Sequence, residues 1–478
     1  MPKFDTRVQE LRYKVLKEII THLKNEDLNE SFYEIPKAIA KGPKPSMRCC
    51  IYKERAIVEE RVSVATRFKI RGDENVIQVL PIACDECPLG GYTVSDACRG
   101  CIAHRCLEAC PRKCISFDDK LQAHIDKSMC VNCGLCAQAC PYQAIENRVR
   151  PCERACKQKA ISPDVESNAA SINDEKCVRC GACVYTCPFG AIVDISYCKE
   201  IVKMLKESEN NTKYNVYAIV APSIGGNFIE VKNGQVISAI KKLGFHDVVE
   251  AALGADMVAL NEAKELAERG KLTSSCCPGF VTYIQKFFPE LTPYISSSLS
   301  PMATVAKYLK EKDPTCKTIF IGPCTAKKDE IKKEKVSPYV DAVMTFEELQ
   351  SFIDAYEIDM AALDEDTYGN YGGSVYGRGF AKCGGLSAAV NEVLKEENID
   401  FEVKGIAVDG PENIKKALTE FKKPNSQYNF IEGMMCVGGC IGGPCNLQHS
   451  IRTKLAVEKY SSSSQDKSIK DNVEKTLD

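Results

Sequence analysis

The sequence predicts an α/β domain preceded by a small, cysteine-rich α+β region. Two observations lead there. From about Tyr214 the chain alternates short apolar runs (YNVYAIVAP, KTIFIGPC, YVDAVMT) with amphipathic stretches (FEELQSFIDAY, LSAAVNEVLKEE). That rhythm reads as buried strands and covering helices, with loops presented at the strand ends. Upstream, eighteen of the 28 cysteines fall between residues 84 and 198, in C-x2-C and C-x3-C groups that suit metal chelation.

In chain order, residues 1–83 read as a helical and mixed region. Val8, Leu11, Val15, Leu16, Ile19 and Leu23 recur at helical spacing over 5–24, which predicts an amphipathic helix. Cys49 and Cys50 lack a second pair nearby and are expected to be non-ligands. Residues 84–126 form an additional cysteine-rich region, 127–200 a two-cluster domain and 210–455 the α/β domain. The polar stretch 456–478 is expected to be disordered.

Composition narrows the function classes. The 478 residues allow two to four domains. With 63 basic and 65 acidic residues and a net charge of -2, there is no electrostatic case for nucleic acid or an anionic membrane. Disulfide-dense chains are usually short and secreted, whereas this one is long and rich in Lys, Glu, Ile and Val. Met1 to Glu18 is charged and has no apolar core or small-residue cleavage site. No apolar run approaches the roughly 20 residues of a membrane span. The expectation is a soluble, cytoplasmic protein of a reducing, anaerobic cell.

Cys130-x2-Cys133-x2-Cys136-x3-Cys140-Pro141 recurs as Cys177-x2-Cys180-x2-Cys183-x3-Cys187-Pro188. This repeat matches the two-cluster bacterial ferredoxin run, in which three close thiolates hold one [4Fe-4S] cubane and the fourth reaches the other. It predicts a ferredoxin-like region with Cys130, Cys133, Cys136 and Cys187 on one cubane and Cys177, Cys180, Cys183 and Cys140 on the second. Zinc sites do not usually show this eight-cysteine duplication followed by Pro. Nine further thiols, Cys84, Cys87, Cys98, Cys101, Cys106, Cys110, Cys114, Cys152 and Cys156, are enough for one or two more clusters. By analogy with the repeat, Cys98, Cys101, Cys106 and Cys156 make the first set. Cys114 and Cys198 read as buried free thiols.

Three cysteine loops follow: Thr273-Ser-Ser-Cys-Cys-Pro-Gly-Phe280, Gly322-Pro-Cys-Thr-Ala-Lys-Lys-Asp-Glu330 and Glu432-Gly-Met-Met-Cys-Val-Gly-Gly-Cys-Ile-Gly-Gly443. Together they supply five cysteines for one site. Neighbours Cys276 and Cys277 cannot easily both face one cluster, so one points elsewhere. Cys436 and Cys440, with Gly438 and Gly439 between them, can reach one metal site while the glycines admit close backbone approach. Cys277, Cys324, Cys436 and Cys440 then remain as ligands, with Cys276 free for proton chemistry.

These loops resemble the three signature motifs of the [FeFe]-hydrogenase catalytic domain, T-S-C-C-P-x-W, M-P-C-x-x-K-x-x-E and E-x-M-x-C-x-G-G-C, over about residues 214–450. The resemblance implies two parallel-sheet halves around an H-cluster, a [4Fe-4S] cubane joined by one thiolate to a two-iron unit carrying carbon monoxide, cyanide and azadithiolate. It implies Cys440 as the bridging thiolate, Lys327 as donor to a cyanide, and Ser223, Met434 and Phe380 against the two-iron unit. It also implies a proton route through Cys276, Glu262, Ser296 and Glu265, with Arg269 at the exit. The implied activity is reversible reduction of protons to H2, with electrons exchanged with a small ferredoxin or flavodoxin.

Three departures mark a divergent branch. Gly322 replaces a Met and is expected to remove a bulky wall; Phe280 replaces a Trp; and Ile-Gly-Gly-Pro follows Cys440, with a short C-terminal covering segment expected. The competing reading is a non-catalytic relative, either a cluster-assembly factor or an H2 or redox sensor. Such relatives often lose the relay cysteine, which is present here. A pure electron carrier leaves the three downstream motifs unexplained, and no flavin or nucleotide fingerprint is evident.

Overall fold

The computed structural model describes residues 4–68, 75–88, 90–164 and 166–477. Helix α1 (Arg7–Asn25) begins at Thr6, whose hydroxyl accepts from the Gln9 amide while the Gln9 side chain accepts from the Thr6 N–H. Val15, Leu16, Ile19 and Ile20 make its buried face, as the spacing predicts. Helix α2 (Ile51–Ala65) packs beside it.

The cysteine-rich region holds two units, one inside the other. Strand β1 (Ile77–Val79) pairs antiparallel with β8 (Ile192–Asp194), Ile77 opposite Asp194. Enclosed between them, β2 (Gly91–Val94) pairs antiparallel with β5 (Ile145–Arg148), Gly91 opposite Arg148. Each unit also has a hairpin: β3 (Ile115–Phe117) with β4 (Ala123–Ile125) in the enclosed unit, and β6 (Ile161–Pro163) with β7 (Ala170–Ile172) in the enclosing one. The chain therefore passes through Cys84 and Cys87, builds the whole enclosed unit, and returns at Cys152. Position 126/127, where a boundary is expected, lies inside the segment enclosed by the β2–β5 pair, between its two cysteine runs.

Four short helices repeat one local design: α3 (Arg105–Glu108), α4 (Leu135–Ala139), α5 (Pro151–Ala155) and α6 (Ala182–Thr186). Each leads to a cysteine (Cys110, Cys140, Cys156, Cys187) whose carbonyl accepts from the N–H three residues on, at 3.0–3.2 Å. That third residue has positive φ in all four turns: Lys113 50°, Gln143 52°, Lys159 51° and Gly190 58°. Three of the four are not glycine, so a hydrogen bond holds a backbone conformation that L-residues seldom adopt.

The rest is α/β. A four-stranded parallel sheet has the order β10-β9-β12-β13, formed by β9 (Val216–Val220), β10 (Asp247–Glu250), β12 (Lys317–Gly322) and β13 (Ala342–Thr345). A second parallel sheet has the order β11-β15-β14, from β11 (Leu272–Thr273), β14 (Gly405–Asp409) and β15 (Phe430–Met434). Helix α7 (Ala251–Arg269) continues directly from β10, α8 (Pro278–Phe287) follows β11, α9 (Ala326–Glu330) follows β12 and α10 (Phe346–Ala355) follows β13. All five buried positions of β9 and of β15 are apolar, glycine or the bonded Glu432, as parallel strands covered on both faces require.

The C-terminal stretch is ordered, contrary to the expectation from its composition. It forms α11 (Ile451–Ser462) and α12 (Ile469–Leu477). Val457, Tyr460, Ile469 and Val473 are buried at helical spacing within a polar sequence. The Tyr460 hydroxyl bonds Glu250 and lies 2.9 Å from that of Tyr368; Asn472 donates to Asp256 at 2.9 Å. Helix α11 presses on the loop after β9 so closely that a Cβ on Gly226 would sit 2.8 Å from the Thr453 carbonyl.

Fully buried Lys328 on α9 ties these regions together. It pairs with Asp194 of β8 at 2.7 Å and Glu348 of α10 at 3.0 Å. Arg12 of α1 completes the network with Asp194 at 3.2 Å and Glu347 at 2.7 Å. Burial works against the Lys328 ammonium, but Asp194 and Glu348 more than offset it and raise its pKa. Removing one member leaves buried, unpaired charge, which costs about 3–5 kcal/mol. Lys328→Met is therefore expected to lower the thermal unfolding midpoint markedly. A midpoint within a degree or two of wild type would show that the network does not hold the regions together.

Candidate functional site

The two sheets point the carboxyl ends of their strands at one cavity of about 90 Å³. Its wall is built from the segments that leave β9 (Ala221, Pro222), β10 (Ala251), β11 (Cys276, Cys277), β12 (Pro323, Cys324) and β15 (Met435, Cys436). Ligands of α/β folds occupy this position, where backbone groups and loops converge beyond the sheet. Cys276, Cys277, Cys324, Cys436, Cys440 and Lys327 line the same cavity, and Met434 and Phe380 belong to its apolar wall.

Local chemistry fixes each cysteine. Cys277 ends an extended segment, and Pro278 starts α8 immediately after it, where its fixed φ suits the first helical turn. Between Cys436 and Cys440, Gly438 (φ 83°) and Gly439 (φ 75°) turn the chain back. A Cβ on Gly439 would lie 2.8 Å from the Met434 sulfur and 2.9 Å from the Ala381 carbonyl, so only glycine fits. Cys445 is fully buried beside Arg12 and Lys328 and does not line the cavity.

Burial pushes the Cys324 thiol up to about 11 and that of Cys440 up to about 12, with neighbouring thiols adding to the effect. Cys436 is raised further by the same causes. Cys324, Cys436 and Cys440, which resist ionisation in the protein alone, converge with Cys277 on one cavity and are suited to a cationic iron centre, which supplies the positive charge that thiolates need. Polar orphans point the same way. Ser223 is buried on the turn after β9, and its hydroxyl has no hydrogen-bond partner. Lys327 donates to Ser300 at 3.1 Å and Glu330 at 2.9 Å, so one of its three N–H bonds is left over at the cavity wall. These residues fit an iron cluster with polar ligands.

Gly322 does not leave a gap. The Phe320 ring packs across it, 2.6 Å from where a Cβ would be, and lines the cavity. The wall expected to be missing is thus supplied from two residues upstream, and the Lys327 ammonium lies 5.5 Å above that ring. Phe280, by contrast, lies outside the cavity lining, fully buried against Gly433.

From Cys276 a line of polar groups runs toward the surface. Glu262 on α7 is fully buried; one carboxylate oxygen accepts from the Ser275 N–H (3.1 Å) and hydroxyl (3.0 Å), and the other is unpartnered. Burial pushes its pKa up to about 7. Ser296 donates to Glu265 at 3.0 Å, and Arg269 bonds the other oxygen of Glu265 at 2.5 Å. Glu265 opens onto a surface concavity with Lys264, Glu268 and Ser297. The sequence reading omitted Ser275; its only signal was adjacency to Cys276.

Among the upstream cysteines the grouping in space differs from the expected sets. Cys187 belongs to the main core with Cys84 and Cys152, while Cys136, Cys110 and Cys106 pack in a separate cluster that Cys98, Cys130 and Cys140 border. Cys156 sits by Cys177, Cys180 and Cys183, not by Cys98. The loop bearing Cys180 docks on the cavity: Thr325 donates to the Arg179 carbonyl at 2.7 Å, and Cys180 is within electrostatic reach of Cys324 and Cys436.

Residues 214–444 match the family described as iron only hydrogenase large subunit, C-terminal domain, and residues 123–146 and 170–193 match the 4Fe-4S binding domain. The chain is 28% identical to Iron hydrogenase 1 of Clostridium pasteurianum over 51% of its own length and 52% of that protein, so it spans about half of this relative. It is 29% identical to the Periplasmic [Fe] hydrogenase large subunit of Nitratidesulfovibrio vulgaris, over 68% of this chain and 86% of that one. A shorter match, 40% identical over 90 residues and 19% of each chain, is to the Cytosolic Fe-S cluster assembly factor NAR1 of Kluyveromyces lactis. Among solved structures, [FeFe]-hydrogenase HydA1 from Chlamydomonas reinhardtii aligns with a TM-score of 0.48 at 21% identity, over 57% of this chain and 91% of that one.

Glu262 makes stability depend on pH. Its folded value near 7 lies above the ordinary glutamate value of 4.5. Its stabilising contribution is therefore complete below about pH 4.5 and lost as pH rises through about 7. Wild type should lose thermal stability relative to Glu262→Gln between pH 5 and pH 8. Parallel curves across that window would mean that Glu262 is not held in this way.

Proposed function

We propose that this chain, which belongs to the [FeFe]-hydrogenase family as a divergent member, joins two protons and two electrons into H2, or splits H2 by the reverse path. The observation that carries the reading is one cavity that unites four candidate ligand cysteines with a fifth, Cys276, from which acidic and hydroxyl groups lead outward. When bound there, the six-iron H-cluster with its carbon monoxide, cyanide and azadithiolate ligands supplies the redox chemistry.

The protein's own residues do the rest. Cys277, Cys324 and Cys436 would hold the cubane, and Cys440 would supply the thiolate toward the two-iron unit. The spare N–H of Lys327 would donate a charge-assisted hydrogen bond to an anionic ligand of that unit, and the orphan hydroxyl of Ser223 would turn to the same side. Met434, Phe380 and Phe320 keep water out. Cys276 exchanges a proton with the cluster side of the cavity and Glu262 takes it up, since its pKa near 7 lets it both accept and release at neutral pH. Ser296 and Glu265 carry the proton on, with Arg269 at the mouth. Electrons pass through upstream [4Fe-4S] clusters from or to a ferredoxin or flavodoxin, and Cys180 stands where they cross to the cavity.

A second reading, an iron–sulfur assembly factor, draws on the NAR1 match. It requires the cubane ligands but gives no use to the line from Cys276 to Glu265. Infrared spectroscopy of chain matured with the diiron cofactor separates the two readings. Carbon monoxide and cyanide bands with H2 turnover are expected; a matured sample with neither belongs to the assembly reading. In that preparation Cys276→Ala should retain the bands while turnover falls about a hundred- to ten-thousand-fold. More than half of wild-type turnover in this variant would remove Cys276 from the proton route.

A further inference from the structure

The turns that end at Cys110, Cys140, Cys156 and Cys187 are four copies of one design, yet only two complete four-cysteine motifs are visible in the sequence. The other two copies become complete in space. Cys98, Cys101 and Cys106 precede Cys110 in the enclosed unit. Cys84 and Cys87 precede Cys152 and Cys156 in the enclosing one, once the whole enclosed unit is subtracted. In ferredoxin geometry three thiolates of one run share a cubane with the last thiolate of its partner run.

The contacts follow that rule within each unit. Cys110 lines one small cavity with Cys114, Cys130, Cys133 and Cys136; of these, Cys110 is the one at the end of its turn, as the ferredoxin rule requires of the fourth ligand. Cys106 lies within electrostatic reach of Cys101 and Cys140. In the enclosing unit, Cys156 neighbours Cys177, Cys180 and Cys183, while Cys187 neighbours Cys87 and Cys152, which in turn neighbour Cys84. Backbone amides already aim at three of these sulfurs: Ala170 N–H at Cys84 (3.3 Å), Ala160 at Cys156 (3.2 Å) and Ala191 at Cys187 (3.2 Å). Such amides stabilise thiolate charge.

We propose that sixteen cysteines bind four [4Fe-4S] clusters in two nested ferredoxin folds, with the ligand sets Cys98/Cys101/Cys106/Cys140, Cys110/Cys130/Cys133/Cys136, Cys84/Cys87/Cys152/Cys187 and Cys156/Cys177/Cys180/Cys183. The insertion falls between the second and third ligands of one cubane. That is tolerable because the inserted unit leaves and returns at one place: Gly91 pairs with Arg148, and the buried Arg150 guanidinium clasps the Pro88 carbonyl at 3.3 Å. Cys133 is the exposed thiol among the sixteen, so its cubane is where a soluble carrier exchanges electrons. The Cys180 cubane is the last before the cavity. Cys114, 3.4 Å from Cys110, stays outside all four sets.

The clusters can be counted whether or not the chain turns over H2, so failure here and failure of the hydrogenase reading are separable. Anaerobically purified, matured protein should carry about twenty-two irons, four from each of five cubanes and two from the diiron unit. Spin counting on the dithionite-reduced protein should find four cubanes beyond the active site. Cys84→Ala/Cys87→Ala should lose about four irons, and adding Cys187→Ala should lose no more. Adding Cys187→Ala to Cys130→Ala/Cys133→Ala should instead raise the loss from about four to about eight irons. Only two cubanes beyond the active site in wild type, by iron and by spin, would overturn the proposal even if the variants fail to fold. The opposite additivity would overturn the ligand sets.

Discussion

Lys328 has no solvent to answer its charge, so its position is dictated by the two carboxylates it meets, Asp194 from the enclosing cysteine unit and Glu348 from the α/β domain. Arg12 brings the N-terminal helix to the same point through Asp194 and Glu347. Such a cluster is poor as a source of net stability, since desolvation consumes much of the attraction, but it is intolerant of displacement. A shift of the cysteine unit would strip Asp194 from two cations at once. The same unit carries Cys180 and docks it on the loop of Cys324 through Thr325. Charge pairing thus sets the spacing between the Cys180 loop and the cavity.

Two different sets of side chains approach the cavity. Glu262 and Glu265 of α7 lie on one face, as three-residue spacing on a helix dictates. Between them Ser296 arrives from a separate loop and bonds Glu265. Cysteine-rich loops approach on the side of Cys180. The cavity wall includes the apolar residues Met302, Phe320, Phe380 and Met434.

Much of this was legible in the chain. The α/β rhythm gave the parallel strands, and the three cysteine loops gave the cavity because spacing and glycine positions are local properties. What stayed hidden depends on long-range pairing. Nothing near Ile77 announces Asp194 as its partner across the enclosed unit, so the four cysteines of the split motif look like strays and Cys187 looks like a ligand beside Cys130. The C-terminal helices were masked by polar composition, since Val457, Tyr460, Ile469 and Val473 are interleaved with buried polar residues such as Thr453, Asn472 and Thr476. Phe320 and Gly322 share one face of β12, as positions two apart on a strand do, and the ring can lie across Gly322 because that position has no side chain.

The insertion of one unit into another has a consequence for how such a chain can change over time. Its two ends meet at the Gly91–Arg148 pair and the Arg150 clasp, so the enclosed unit is a cassette with a single narrow attachment. Its outer surface can drift, or be exchanged for another cassette, without disturbing β1, β8 or anything beyond them. The surface of the cassette and the lining of the cavity are thereby placed on separately evolvable parts of one polypeptide.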